Sequence, residues 1–136
     1  MFNKILIVII IVSGIAAYWY YSNNIGNNFE RGMVHYENKN YTKAIQLFEK
    51  DSDNAKAQYQ LGMMYYNGIG VNKNLVKASS WYHKAAARNI ADAQNTLGIM
   101  YKNGEGVVQN LERAELWFLD AISRGHVNAQ ANLGEL

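Results

Sequence analysis

Apolar residues follow two patterns along this chain, and the boundary between them falls near position 21. From Ile5 to Tyr21 there is no charged side chain, and Ser13 is the one plainly polar residue apart from the aromatic tips. From Ser22 onward, apolar positions recur at helical spacing with charges spread between them. Ala57, Leu61, Met64 and Tyr65 form one such stripe, and the run Asn67-Gly68-Ile69-Gly70 breaks it. Leu75, Ala78, Trp81, Tyr82 and Ala85 form the next. This predicts a helical hairpin whose second helix stops at Arg88-Asn89, since asparagine tolerates the left-handed conformation found after helix ends.

The same pattern returns 36 positions later. Residues Ala55–Ile90 and Ala91–His126 align without gaps, with about half the positions identical. Shared residues include Ala57/Ala93, Leu61/Leu97, Gly62/Gly98, Tyr65/Tyr101, Ala78/Ala114 and Trp81/Trp117. A third copy opens at Val127 with NAQANLGEL. Gly62 and Gly98 fall in mid-helix, where glycine costs about 1 kcal/mol relative to alanine, so a close approach of the partner helix is expected there. Upstream, aligning on Gly32 brings Tyr41, Ala44 and Phe48 into equivalent places, with a loop four residues shorter. Arg31 and Asn28 stand in that copy where large apolar residues are usual, as suits the first unit of a stack.

The shared pattern A-x-A-Q-x-x-L-G-x-M-Y-x-N-G-x-G-V-x-x-N-L-x-x-A-x-x-W resembles the Sel-like repeat, a subclass of the tetratricopeptide repeats. The resemblance covers Ala55–Leu136. It implies an all-α fold, a right-handed α-solenoid of antiparallel helix pairs, preceded here by one N-terminal transmembrane helix. The expected divisions are an anchor over 1–21, a linker over 22–28, a degenerate tetratricopeptide-like hairpin over 29–54, Sel-like repeats over 55–90 and 91–126, and a capping half-repeat over 127–136.

Ile5–Tyr21 would span about 26 Å as a helix, slightly less than a hydrocarbon core of about 30 Å. Phe2 and the cluster Tyr18-Trp19-Tyr20-Tyr21 extend it with side chains that favour the interface. Lys4 and the terminal amine place the N-terminus in the cytoplasm by the positive-inside rule, with the repeats in the periplasm or outside. A retained signal anchor in the cytoplasmic membrane and a secretory signal cleaved near Ala16 are the two readings of this segment.

Composition narrows the function. Net charge is +2 with no basic stripe, which argues against a nucleic-acid partner. With no cysteine there are no disulfides, thiolate metal sites or cysteine nucleophile. Proline is also absent, as suits uninterrupted helices. Gly68-x-Gly70 and Gly104-x-Gly106 lack the third glycine and preceding strand of a dinucleotide loop and read as turns. His35, His83 and His126 share no repeat position or metal-like spacing. No catalytic set appears, so no enzyme activity, metal or cofactor is expected. Glu112 and Glu115 read as solvated positions facing Arg113, and Trp81 and Trp117 recur and so read as packing residues.

In proteins that this chain resembles, the first helix of each hairpin lines a concave groove. Alignment on the glycines then puts Phe29, Met33, Tyr36, Tyr59, Met63, Tyr66, Asn95, Ile99 and Lys102 on that surface. Tyr59, Met63 and Tyr66 have Asn95, Ile99 and Lys102 as counterparts, so the repeat does not demand aromatics there. They are therefore expected to form an exposed patch that binds a protein or peptide and that the fold can spare. The loop positions Ile69 and Glu105, which differ between copies, are expected to tolerate change. The resemblance implies an adaptor or an immunity-type protein. A structural subunit of a membrane complex, assembled through the transmembrane helix, is the alternative.

Overall fold

A computed structural model describes residues 26–136. The proposed anchor over 1–21 lies outside the described residues, and among those described no helix is long and apolar enough to cross a membrane.

Among the described residues seven helices follow one another: α1 (Asn28–Glu37), α2 (Tyr41–Lys50), α3 (Ala55–Asn67), α4 (Leu75–Ala87), α5 (Ala91–Asn103), α6 (Leu111–Ser123) and α7 (Val127–Gly134). They pair as α1–α2, α3–α4 and α5–α6, and the second helix of each pair also packs on the first helix of the next. The molecule is an all-α solenoid of three hairpins and a final single helix. We call the first helix of each hairpin its A helix and the second its B helix, so that α7 is a fourth A helix.

Local sequence explains where each helix starts and stops. Asn74 and Asn110 stand just before the two long B helices, and each side chain accepts a hydrogen bond from the backbone three residues on, at 2.9 and 2.8 Å. Asn54 caps α3 in the same way. Gly68 and Gly104 close α3 and α5 at φ 69° and 71°, in the left-handed region. Asn89 (φ 64°) follows the end of α4, as the sequence leads one to expect, and Gly125 (φ 82°) follows that of α6. The loop between α1 and α2 covers residues 38–40, whereas 68–74 join α3 to α4. That difference accounts for the four-residue gap in the alignment of the first unit.

Packing centres on a glycine and an aromatic ring in each hairpin. The Phe48 ring lies against Gly32, that of Tyr82 against Gly62 and that of Phe118 against Gly98. A Cβ added at Gly62 would come 2.7 Å from Tyr82 Cδ1, closer than real side chains approach. Each mid-helix glycine thus lets A and B helices touch, which offsets its conformational cost. Around these contacts Leu61, Met64, Ala78, Leu97, Met100, Ala114 and Ala121 are fully buried. Trp81 and Trp117 pack against the core clusters but remain half-buried, with Lys84 Nζ 4.3 Å above the Trp81 ring.

Candidate protein-interaction surface

The sequence pattern singled out nine residues on the A helices, and none of them is fully exposed. Eight are half-buried and Asn95 is buried. Phe29, Met33 and Tyr36 pack on the cluster formed by α2 and α3. Tyr59, Met63 and Tyr66 pack on the cluster of α4 and α5, and Ile99 packs on that of α6 and α7. The row therefore follows the seam between consecutive repeats. The expectation of an exposed patch is corrected to this extent, that eight of these side chains are half-buried against the neighbouring core clusters and Asn95 is buried.

The second trio shows how this works. The rings of Tyr59 and Tyr66 both rest against the buried Tyr82, at 5.8 and 6.3 Å between centroids. The Tyr66 hydroxyl donates to Glu105 Oε2 at 2.5 Å, bridging α3 to the loop of the next repeat. That bond, then burial and the Glu105 charge, raise the Tyr66 pKa to about 12. Burial and, after it, the charge of Asp92 raise that of Tyr59. Tyr82 is raised further still, first by burial and then by the two neighbouring phenols. Tyr59 and Tyr66, both seated on Tyr82, form an aromatic platform with partly accessible edges.

Two of its counterparts one repeat later are tied to the end of the chain's last described helix. Asn132 Nδ2 of α7 donates to Asn95 Oδ1 at 2.8 Å, and Lys102 Nζ pairs with Glu135 at 3.0 Å. The aromatic edges of the row lie on α1 and α3. The loop positions are not free either. Ile69 packs on the first core cluster, and Glu105 holds Tyr66 and accepts from Asn103. Both departures have one cause, since a loop in a stacked repeat touches its neighbour.

A second surface went unnoticed in the sequence. Between α4 and α6 lies a cleft of about 320 Å³, lined by His83, Tyr101, Arg113, Leu116, Trp117 and Asp120. His83 Nδ1 donates to the Ser79 carbonyl at 2.7 Å, and its Nε2 meets the Tyr101 hydroxyl at 3.1 Å. Arg113 donates to the same hydroxyl at 3.1 Å, so it turns away from Glu112 and Glu115, which have no ion pair among the described residues. Leu116 is 63% exposed where the preceding repeat has Ser80. The test of non-recurrence applied to the A helices would have flagged it. His126 caps α7 and lies 3.2 Å from Asp92, while Nε2 of His35 is buried without a hydrogen-bond partner among the described residues. No group of His, Asp or Glu among the described residues is arranged to hold a metal.

The family model described as the Sel1 repeat matches residues 23–50, 55–90 and 91–126. The chain belongs to the Sel1 repeat family. A Sel1 repeat protein from Oxalobacter formigenes has a similar structure, with 34% identity and a TM-score of 0.75, over 79% of this chain and 45% of that one. Cysteine rich protein B of Helicobacter pylori is also similar, at 29% identity and a TM-score of 0.57, over 80% of this chain and 74% of that one. Among curated proteins, the ERAD-associated E3 ubiquitin-protein ligase component HRD3 of Candida glabrata is 33% identical over 60 residues, 43% of this chain and 7% of that protein. The chain thus spans a small part of that curated relative and less than half of the Oxalobacter protein. Membership of the Sel1 repeat family implies a role in protein–protein interaction.

Proposed function

We propose that this Sel1 repeat chain is a membrane-anchored, extracytoplasmic module that binds a protein or peptide along its A helices, as an adaptor or immunity-type protein. The observation that carries this reading is the platform on α3. Tyr59 and Tyr66 are braced on one buried ring and Tyr66 is pinned by Glu105, so a partner meets aromatic edges that are already immobilised. Anchors held in place lose little conformational freedom on binding, and tyrosine and methionine suit such surfaces. The adjoining edges of Phe29, Met33 and Tyr36 extend the same strip. The anchor rests on the uncharged run from Ile5 to Tyr21 and its aromatic end.

A photo-crosslinking residue at Met63, compared in cells with one at Leu116, tests the reading. The expected result is a discrete adduct from position 63. Adducts from position 116 alone would move the binding site to the α4–α6 cleft. If the solubilised chain instead runs as a fixed large complex assembled through residues 1–21, with no adduct at either position, the membrane-subunit alternative replaces it.

A further inference from the structure

The two long B helices carry a tryptophan at the same place but opposite charges three positions later. Lys84 follows Trp81 in α4, and its Nζ lies 4.3 Å from the centre of that ring. In α6 the counterpart of Lys84 is Asp120, and among the described residues no cation lies over Trp117. Trp117 and Asp120 instead line the cleft of about 320 Å³ between α4 and α6. Its walls are set, because the Tyr101 hydroxyl holds His83 and Arg113 at 3.1 Å each. Arg113, Leu116 and Asp120 follow at intervals of three and four, so they share one face of α6. Neither Arg113 nor Asp120 makes an ion pair among the described residues. Stacking of a further repeat would leave this face open. α4 is the middle one of three B helices and packs on both α3 and α5. Ser80 and Lys84, its counterparts of Leu116 and Asp120, nevertheless remain exposed.

We infer that this cleft is a docking site for an extended segment of a partner protein, which supplies the cation that α6 lacks. A lysine of the segment takes over Trp117 the place that Lys84 takes over Trp81, with the Asp120 carboxylate beside its ammonium. At the other end of the cleft an acidic residue of the segment meets Arg113. One guanidinium nitrogen is engaged by Tyr101, which leaves further N–H donors for a carboxylate. Arg113 and Asp120 are seven positions apart, about 10 Å along a helix axis. That distance is about three residues of extended chain. The segment that fits therefore carries its acid and its lysine three positions apart, with an apolar residue between them against Leu116, which is 63% exposed. The cleft lies on B helices, so it does not rest on the A-helix reading.

The probes are acetylated, amidated peptides of sequence Glu-Leu-Ala-Lys and, in the opposite order, Lys-Ala-Leu-Glu. Each is titrated into the whole chain in detergent while NMR follows the Trp117 indole N–H. One of the two should shift that signal saturably. Acetylating the peptide's lysine, or Asp120→Asn in the chain, should weaken binding by about threefold or more, the scale of one cation–π contact. Asp120→Lys should set an ammonium over Trp117 from within the chain and abolish binding. Its melting temperature should hold, since α4 already folds with Lys84 over Trp81. No saturable shift from either peptide overturns the inference, as does binding that survives lysine acetylation or Asp120→Lys. A peptide that shifts only the resonances of Tyr59 and Tyr66 also overturns it and supports the A-helix strip instead. So does a dimer of the chain alone that Asp120→Lys dissociates, since the occupant would then be a second copy.

Discussion

The phenol of Tyr66 donates to the carboxylate of Glu105, joining side chains 39 positions apart and linking one repeat to the loop of the next. The bond exists only while Tyr66 is protonated, and its pKa is raised to about 12 from an ordinary value of about 10. A folded-state pKa above the unfolded one stabilises the fold fully below the unfolded value. That contribution is lost as pH rises from about 10 through about 12. Thermal melts across this window should show a steeper loss of stability for the natural chain than for Tyr66→Phe. Glu105→Gln should shift tyrosinate formation to lower pH in near-ultraviolet absorbance. Identical alkaline profiles for all three proteins would mean that the bond does not form in solution.

The glycines provide a graded test of the interlock. Gly62→Leu and Gly98→Leu push a side chain into Tyr82 and Phe118, and overpacking of this kind costs about 1–3 kcal/mol or more. Gly134→Leu meets no neighbour among the described residues and should be neutral or slightly stabilising, because leucine favours the helix by up to about 1 kcal/mol over glycine. Ile69→Ala should cost about 1 kcal/mol, since Ile69 is half-buried against the first cluster. Denaturant unfolding measures all four. Equal effects at positions 62, 98 and 134 would contradict the hairpin geometry.

How far the sequence discloses this molecule depends on whether a feature repeats. The 36-residue period located α3 to α6, the Gly-loop turns and the mid-helix glycines, because each copy checks the other. Asn89 marked the end of α4. Burial of the A-helix row was not legible. Period 3.6 shows that Tyr59, Met63 and Tyr66 share a face, but it does not show which neighbour that face meets. The ties from Asn132 to Asn95 and from Glu135 to Lys102 join residues 37 and 33 positions apart, beyond any local pattern. The cleft at His83 and Leu116 escaped for a different reason. It is built from two B helices of different repeats, and a helical period within one segment does not show that they meet.

Membrane fractionation addresses the segment before the repeats. The uncharged run from Ile5 to Tyr21, with Lys4 before it and four aromatics at its end, predicts a chain retained in the membrane. Protease added from the extracytoplasmic side should digest the repeats, while cytoplasmic protease leaves them intact. A mature N-terminus at Ala17 would replace the anchor with a cleaved signal. Digestion from the cytoplasmic side alone would reverse the topology.

The last prediction separates the two roles of the α3 tyrosines. Because both rest on Tyr82 and pack against the core, Tyr59→Ala with Tyr66→Ala should lower stability. Half-buried aromatics at about 25 cal/mol per Å² correspond to about 1–2 kcal/mol each, and their shared support makes the pair non-additive. Lost binding in that double mutant would therefore be ambiguous. The third repeat supplies a better replacement. It carries Asn95 and Lys102 at the matching positions and folds with polar ties to α7. Tyr59→Asn with Tyr66→Lys should stay folded, because Glu105 is placed to pair with the new ammonium as Glu135 does with Lys102. Melting of this variant should exceed that of the alanine pair, while the crosslink from position 63 disappears. A crosslink that survives would show that the aromatic edges are structural and that the partner binds elsewhere. Melting no better than that of the alanine pair would show that Tyr82 requires aromatic neighbours, which the polar third repeat does without.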